Sequence, residues 1–147
     1  MKAAVTGKPG PNFLPGSAMN LTHIALHVPD AERCARWYAD YCGMVEVRRH
    51  GVKEKPVIWL ACPRQAETFV MVLIGGGPEG VALAGNFSHL GFAAASRDEV
   101  DALARRAERD GCLLWEPRED PWPAGYYCGA LDPAGNQVEF SYGQPLG

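Results

Sequence analysis

Three side chains far apart in this sequence have the chemistry to hold one metal ion together: His23, His89 and Glu139. Two neutral imidazoles and one carboxylate suit Fe(II), Mn(II), Zn(II) or Ni(II), and three protein ligands leave positions open for water and substrate. The histidines stand 66 residues apart and Glu139 follows His89 by 50, so no local motif joins them. Only the fold can bring them together.

The chain repeats itself. Residues 21–28, LTHIALHV, alternate in hydrophobicity as a half-buried strand should. Asp30 then caps a helix whose apolar positions Cys34, Trp37, Tyr38 and Tyr41 follow the i, i+3, i+4, i+7 rule, and Gly43 supplies a left-handed stop. Strand-like runs around 44–49, 57–62 and 68–74 precede the break at Gly75-Gly76-Gly77-Pro78. The same order recurs from 87–94, FSHLGFAA, through the capping box Ser96-Arg-Asp-Glu99. Val100, Leu103, Ala104 and Ala107 form the second helical stripe, Gly111 stops it, and strands follow around 112–115, 125–131 and 136–142. His23 to Gly43 is 20 residues and His89 to Gly111 is 22. One βαβββ design is used twice, over about 20–75 and 86–143.

Alternation along a strand sends successive side chains to opposite faces. Ile24, Leu26 and Val28 face the first helix, leaving His23, Ala25 and His27 on the other side. Leu90 and Phe92 face the second helix and leave His89, Gly91 and Ala93; Val138, Phe140 and Tyr142 leave Gln137, Glu139 and Ser141. All three candidate ligands therefore point away from the helices, onto a concave sheet face. Ala25, Gly91 and Ala93 leave room there for a ligand.

The segments Leu21-Thr-His-Ile-Ala-Leu-His-Val-Pro-Asp30, Ser88-His-Leu-Gly-Phe92 and Asp132-Pro-Ala-Gly-Asn-Gln-Val-Glu-Phe140 resemble the vicinal oxygen chelate superfamily, which includes glyoxalase I, extradiol dioxygenases, fosfomycin-resistance transferases and bleomycin-binding proteins. The resemblance covers roughly residues 20–143 and implies an α+β fold of two βαβββ modules forming a concave mixed sheet. Its four metal-ligand positions map onto His23, Met71, His89 and Glu139; Met71 follows His23 by 48 residues. Methionine is a poor ligand for a hard metal, so three ligands are expected. The resemblance also implies a homodimer in which His23 of one chain meets His89 and Glu139 of the other.

Departures from the subfamilies separate the reactions. Met71 counts against lactoylglutathione lyase activity. Ala25, with no arginine after Arg118, counts against fosfomycin transfer. Extradiol dioxygenases share the ligand set, and dioxygenase-like Fe(II) chemistry on a substrate with adjacent oxygens is the expected activity. Gly129, however, stands where their tyrosine would be. His27 or Tyr127 would handle protons in its place, with His50 near a strand end. A lyase or isomerase, or a metal-free drug- or metabolite-binding protein, are the alternatives. Trp59, Phe69, Met71 and Trp115 are the candidate walls of an apolar substrate pocket. Arg48, Arg49 and Arg118 are the candidate partners for an anionic substrate, against the ordinary role of a solvated surface arginine.

Composition bounds the rest. The 147 residues are 47% hydrophobic and 21% charged, enough for one well-packed domain over 19–147. A net charge of −3 without a basic block excludes an obvious nucleic-acid partner, and no apolar run is long enough to span a membrane. The expected partner is a small-molecule substrate. Residues 1–18, with three prolines and three glycines, read as a flexible extension with no signal-peptide core. Five cysteines without CxxC spacing read as free thiols, which suit a reducing cytoplasm.

Overall fold

The computed structural model describes residues 19–80 and 84–145; the extension over 1–18 lies outside them. The first module comprises β1 (His23–His27), α1 (Ala31–Cys42), β2 (Val45–Val52), β3 (Lys55–Ala61) and β4 (Val70–Ile74). The second comprises β5 (Leu90–Ala93), α2 (Arg97–Arg109), β6 (Leu113–Asp120), β7 (Gly125–Leu131) and β8 (Gln137–Tyr142). Each module forms its own four-stranded mixed sheet, in the orders β1-β4-β3-β2 and β5-β8-β7-β6. The first strand of each runs parallel to the last, and the other neighbours are antiparallel. The fold is α+β, as expected. The strand expected over 87–94 is shorter, and His89 sits just before it.

The helix ends follow the sequence signals. Asp30 accepts from the Arg33 amide at 2.9 Å, and Gly43 takes φ 65°, a left-handed conformation in which a side chain would be strained. Ser96 accepts from the Glu99 amide at 3.1 Å. Glu99 reaches back one residue further than a standard capping box does, to the Ala95 amide at 2.5 Å.

The helix-bearing faces of the two modules share one apolar core. It joins Tyr38, Tyr41, Ile58, Leu60 and Leu73 to Val100, Val138 and Phe140. Trp37 stacks on Tyr41 with ring centroids 4.5 Å apart, and both rings lie near Phe140. Polar contacts cross the same junction. The Tyr38 hydroxyl donates to Asp132 Oδ2 at 2.9 Å, and Arg106 donates to the Asp40 carbonyl at 2.8 Å. Burial of the helical side of both sheets leaves each with an outer face bare of its own helix. On that face β1 exposes His23, Ala25 and His27, and β5 exposes Gly91 and Ala93.

Candidate metal site

His89 and Glu139 come together on the outer face of the second sheet. β5 and β8 pair with Gly91 opposite Glu139, so Glu139 shares the face of Gly91 and of His89 two residues earlier. His89 Nε2 lies 3.4 Å from Glu139 Oε2. His89 Nδ1 lies 2.6 Å from the Phe87 carbonyl oxygen, which can only accept, so Nδ1 carries a proton. A neutral imidazole then turns its Nε2 lone pair toward a carboxylate. Two acceptors converge in this way around a proton or a cation, which is the donor geometry of a metal site. Glu139 is 7% exposed, and Gln144 Nε2 donates to its other oxygen at 2.9 Å. A Cβ built on Gly91 would meet nothing within 4 Å, so the space in front of the pair is open.

His23 stands on the outer face of the first sheet, its Nδ1 3.1 Å from the Thr22 hydroxyl oxygen. Among the described residues, no three His, Cys, Asp or Glu side chains gather closely enough to hold an ion. One chain thus brings together His89 and Glu139 but not His23.

Met71 is not on this face. It pairs with Ile24, is 2% exposed and belongs to the core, so it cannot wall an outer-face pocket. Ala25 pairs with Val72, making Val72 the counterpart of Glu139 in the first module. Phe69 precedes β4, is half-buried and shares the parity of Met71 rather than of Val72. His27 does lie on the outer face, but four residues from His23, about 13 Å along the strand.

Trp59 and Trp115 are on the expected face. Trp59 pairs with Val72, and Trp115 pairs with Gly129, the neighbour of Glu139. Trp115 lies so close over Gly129 that a Cβ there would fall 2.2 Å from the indole. Its ring meets His89 edge-on at 5.8 Å between centroids. A recess of about 300 Å³ opens beside it, lined by Phe87, Leu114 and Gln137 among others. Tyr127 is committed elsewhere. Its hydroxyl donates to Asp120 Oδ2 at 2.5 Å and accepts from Arg118 Nε at 2.6 Å. Burial, then the Asp120 bond, pushes the phenol up, although Arg118 opposes the shift.

Sequence reasoning missed the supports: Gln144, Thr22 and the Phe87 carbonyl. It also missed the role of Asp132. This buried carboxylate builds the turn before β8, accepting from the Ala134 and Asn136 amides and the Asn136 side chain, each at 2.8 Å. No spacing rule flags Gln144 or Thr22. The Asp-Pro-x-Gly-Asn order does signal a side-chain-capped turn.

Comparison with known proteins agrees with this architecture. The family model of the Glyoxalase/Bleomycin resistance protein/Dioxygenase superfamily matches residues 20–140. An uncharacterised protein of Pseudomonas aeruginosa is 53% identical over 127 residues, covering 86% of this chain and 91% of that protein. A fosfomycin resistance protein of Listeria monocytogenes, solved with Mn(II) and a dihydroxypropylphosphonic acid, superposes with a TM-score of 0.68 at 15% identity, over 87% of this chain and 95% of that one. Glyoxalase I of Leishmania major gives 0.62 at 18% identity, over 85% and 87%. At such identities these two structures speak for the fold alone. The chain belongs to the Glyoxalase/Bleomycin resistance protein/Dioxygenase superfamily.

Proposed function

We propose that this protein is a metal-dependent enzyme acting on a small substrate with two adjacent oxygens, working as a homodimer. The ion is held by His23 of one chain and by His89 and Glu139 of its partner copy. The observation that carries this reading is the His89–Glu139 pair, with its imidazole proton fixed on the far nitrogen and its carboxylate buried. The Listeria protein, which shares the fold, was solved with Mn(II), and that supports a divalent ion here.

When bound, the ion would polarise the substrate's adjacent oxygens as a Lewis acid or, as Fe(II), support dioxygen chemistry. The chain's own groups do the rest. The Phe87 carbonyl holds the His89 tautomer, Gln144 orients the Glu139 carboxylate, and Trp115 bounds the space beside His89. Dioxygenase-like Fe(II) chemistry is supported by the ligand set, two imidazoles and one carboxylate with open positions. A second reading, a lyase or isomerase using Mn(II), Zn(II) or Ni(II), is supported by the Mn(II) of the Listeria protein, which shares the fold. Either reaction must move protons, and neither Tyr127, bound to Asp120, nor His27, about 13 Å from His23, is placed for that work.

Elemental analysis of the purified protein beside His23→Ala and Glu139→Ala tests the site. Each variant should lose the metal, and refolding the two together should restore part of it, because one site in a mixed dimer keeps all three ligands. Full metal in either single variant would overturn the reading. Metal-free protein that binds ligands as well as the wild type would instead favour a metabolite-binding role. Oxygen uptake with a catechol panel then separates dioxygenase from lyase.

A further inference from the structure

The three candidate arginines have different fates. Arg49 is engaged by Glu32 and by Glu46, the latter at 2.7 Å. Arg118 is tied to Tyr127 and Asp120. Among the described residues, no carboxylate lies within ion-pair distance of Arg48. A bulge explains the difference between Arg48 and its neighbour. Glu46 pairs with Leu60, but the register then shifts, so that Arg48 rather than Val47 stands opposite Trp59. Bulges re-aim side chains in this way. Here the shift turns Arg48 onto the outer face and sends Arg49 toward the helix side, where Glu32 meets it.

Arg48 ends a row that crosses the first sheet: Ala25, Val72, Trp59, Arg48. Val72 is the counterpart of Glu139, and Arg48 lies two strands away, about 10 Å between backbones. The guanidinium sits over the Trp59 ring, 5.3 Å from its centroid, and the His50 ring flanks the same indole at 6.2 Å. The Trp59 indole N–H is buried and, among the described residues, has no acceptor. A guanidinium seated on an aromatic ring beside an imidazole, with no carboxylate near it among the described residues, is a cationic donor without an anion of its own there.

We propose that Arg48, seated on Trp59, is a specificity-determining residue that receives an anionic group, a carboxylate or phosphonate, on the substrate. The substrate class is thus an anionic molecule with two adjacent oxygens a few bonds from its charge. This rests on the metal reading for where the oxygens bind, but the anion contact itself belongs to the first module alone.

A probe pair that keeps the chelating oxygens and changes only the charge tests this. Catechol and 3,4-dihydroxybenzoate are titrated calorimetrically into the metal-loaded full-length protein, its Arg48→Gln and Arg48→Lys variants, and the metal-stripped wild type. The wild type should bind the carboxylate probe about tenfold more tightly than catechol, the size of one charge-assisted contact. Arg48→Gln should erase that preference while leaving catechol affinity and metal content unchanged, and Arg48→Lys should keep part of it. No preference in the wild type, or one that survives in Arg48→Gln, overturns the proposal. So does a variant that dissociates the dimer with the preference intact, since Arg48 would then serve the interface. Loss of both affinities on metal removal supports the metal reading. If catechol binding ignores the metal while the carboxylate preference still depends on Arg48, the metal reading fails and the anion site stands.

Discussion

Replacing Asp132 by alanine should destabilise the whole chain, because this carboxylate joins the turn before β8 to α1 of the other module. It is 4% exposed and accepts four hydrogen bonds, from the Ala134 and Asn136 amides, the Asn136 side chain and the Tyr38 hydroxyl. In the alanine variant the Asn136 groups, half-buried, can turn to water. The Tyr38 hydroxyl and the Ala134 amide are buried and cannot. Two orphaned donors at about 1–3 kcal/mol each, less the relief of no longer burying a charge, give a net loss of roughly 3 kcal/mol. For a chain of this size that corresponds to a fall in Tm of about 10 °C. Urea unfolding of the metal-free protein measures it without linkage to the ion, and one fixed protein concentration holds any contribution of a partner copy equal across the variants. Tyr38→Phe supplies the sharper test. In the wild type it removes a charge-assisted bond and should cost about 2 kcal/mol. In the Asp132→Ala background the hydroxyl has already lost its acceptor, so the same change should be neutral or stabilising. An equal cost of Tyr38→Phe in both backgrounds would refute the account.

Other outcomes follow from the same contacts. Gln144→Ala should weaken metal binding roughly tenfold, read by chelator competition, because it frees the Glu139 carboxylate; unchanged affinity would remove Gln144 from the site. Gly129→Ala should push the Trp115 indole from its seat, altering the near-ultraviolet dichroism at a cost of about 1 kcal/mol; an unchanged spectrum would mean the ring lies elsewhere. Cys34 and Cys128 should resist a thiol reagent at pH 8 until the chain unfolds. Burial first, then Asp132 for Cys34 and Asp101 for Cys128, pushes each thiol up to about 12, and a raised thiol pKa means little thiolate below it; rapid reaction of all five cysteines in the native state would contradict this.

The elements were readable because local chemistry dictates them: Asp30 and Ser96 as caps, Gly43 as a stop, the helical stripes around Tyr38 and Val100. The facing of His23, His89 and Glu139 was readable too, since alternation within one short strand is fixed by its own residues. Parity between strands is another matter. Val70-Met71-Val72 looks like Val138-Glu139-Phe140, and matching the two by pattern selects Met71. The pairing of Ala25 with Val72 and of Gly91 with Glu139 selects Val72 instead. The modules differ by one residue between first and last strand, and a one-residue difference exchanges the faces.

The same physics decided which arginine was left free. Arg48 and Arg49 are adjacent and chemically alike, and nothing in their composition distinguishes the one that forms a surface ion pair from the one that lies over an indole. A single extra residue in β2 does, by rotating one toward Glu32 and the other toward Trp59. His23 presents the complementary case. Its facing followed from β1 alone, yet its company did not. β1 and β5 are each the edge of a separate sheet, and the common core lies on the helix side of both. The face carrying His23 and the face carrying His89 and Glu139 are therefore left to meet other surfaces. Under the proposed function, a second copy of the chain turned so that first module faces second module would complete the ligand set twice over, the self-complementary contact of a two-fold dimer.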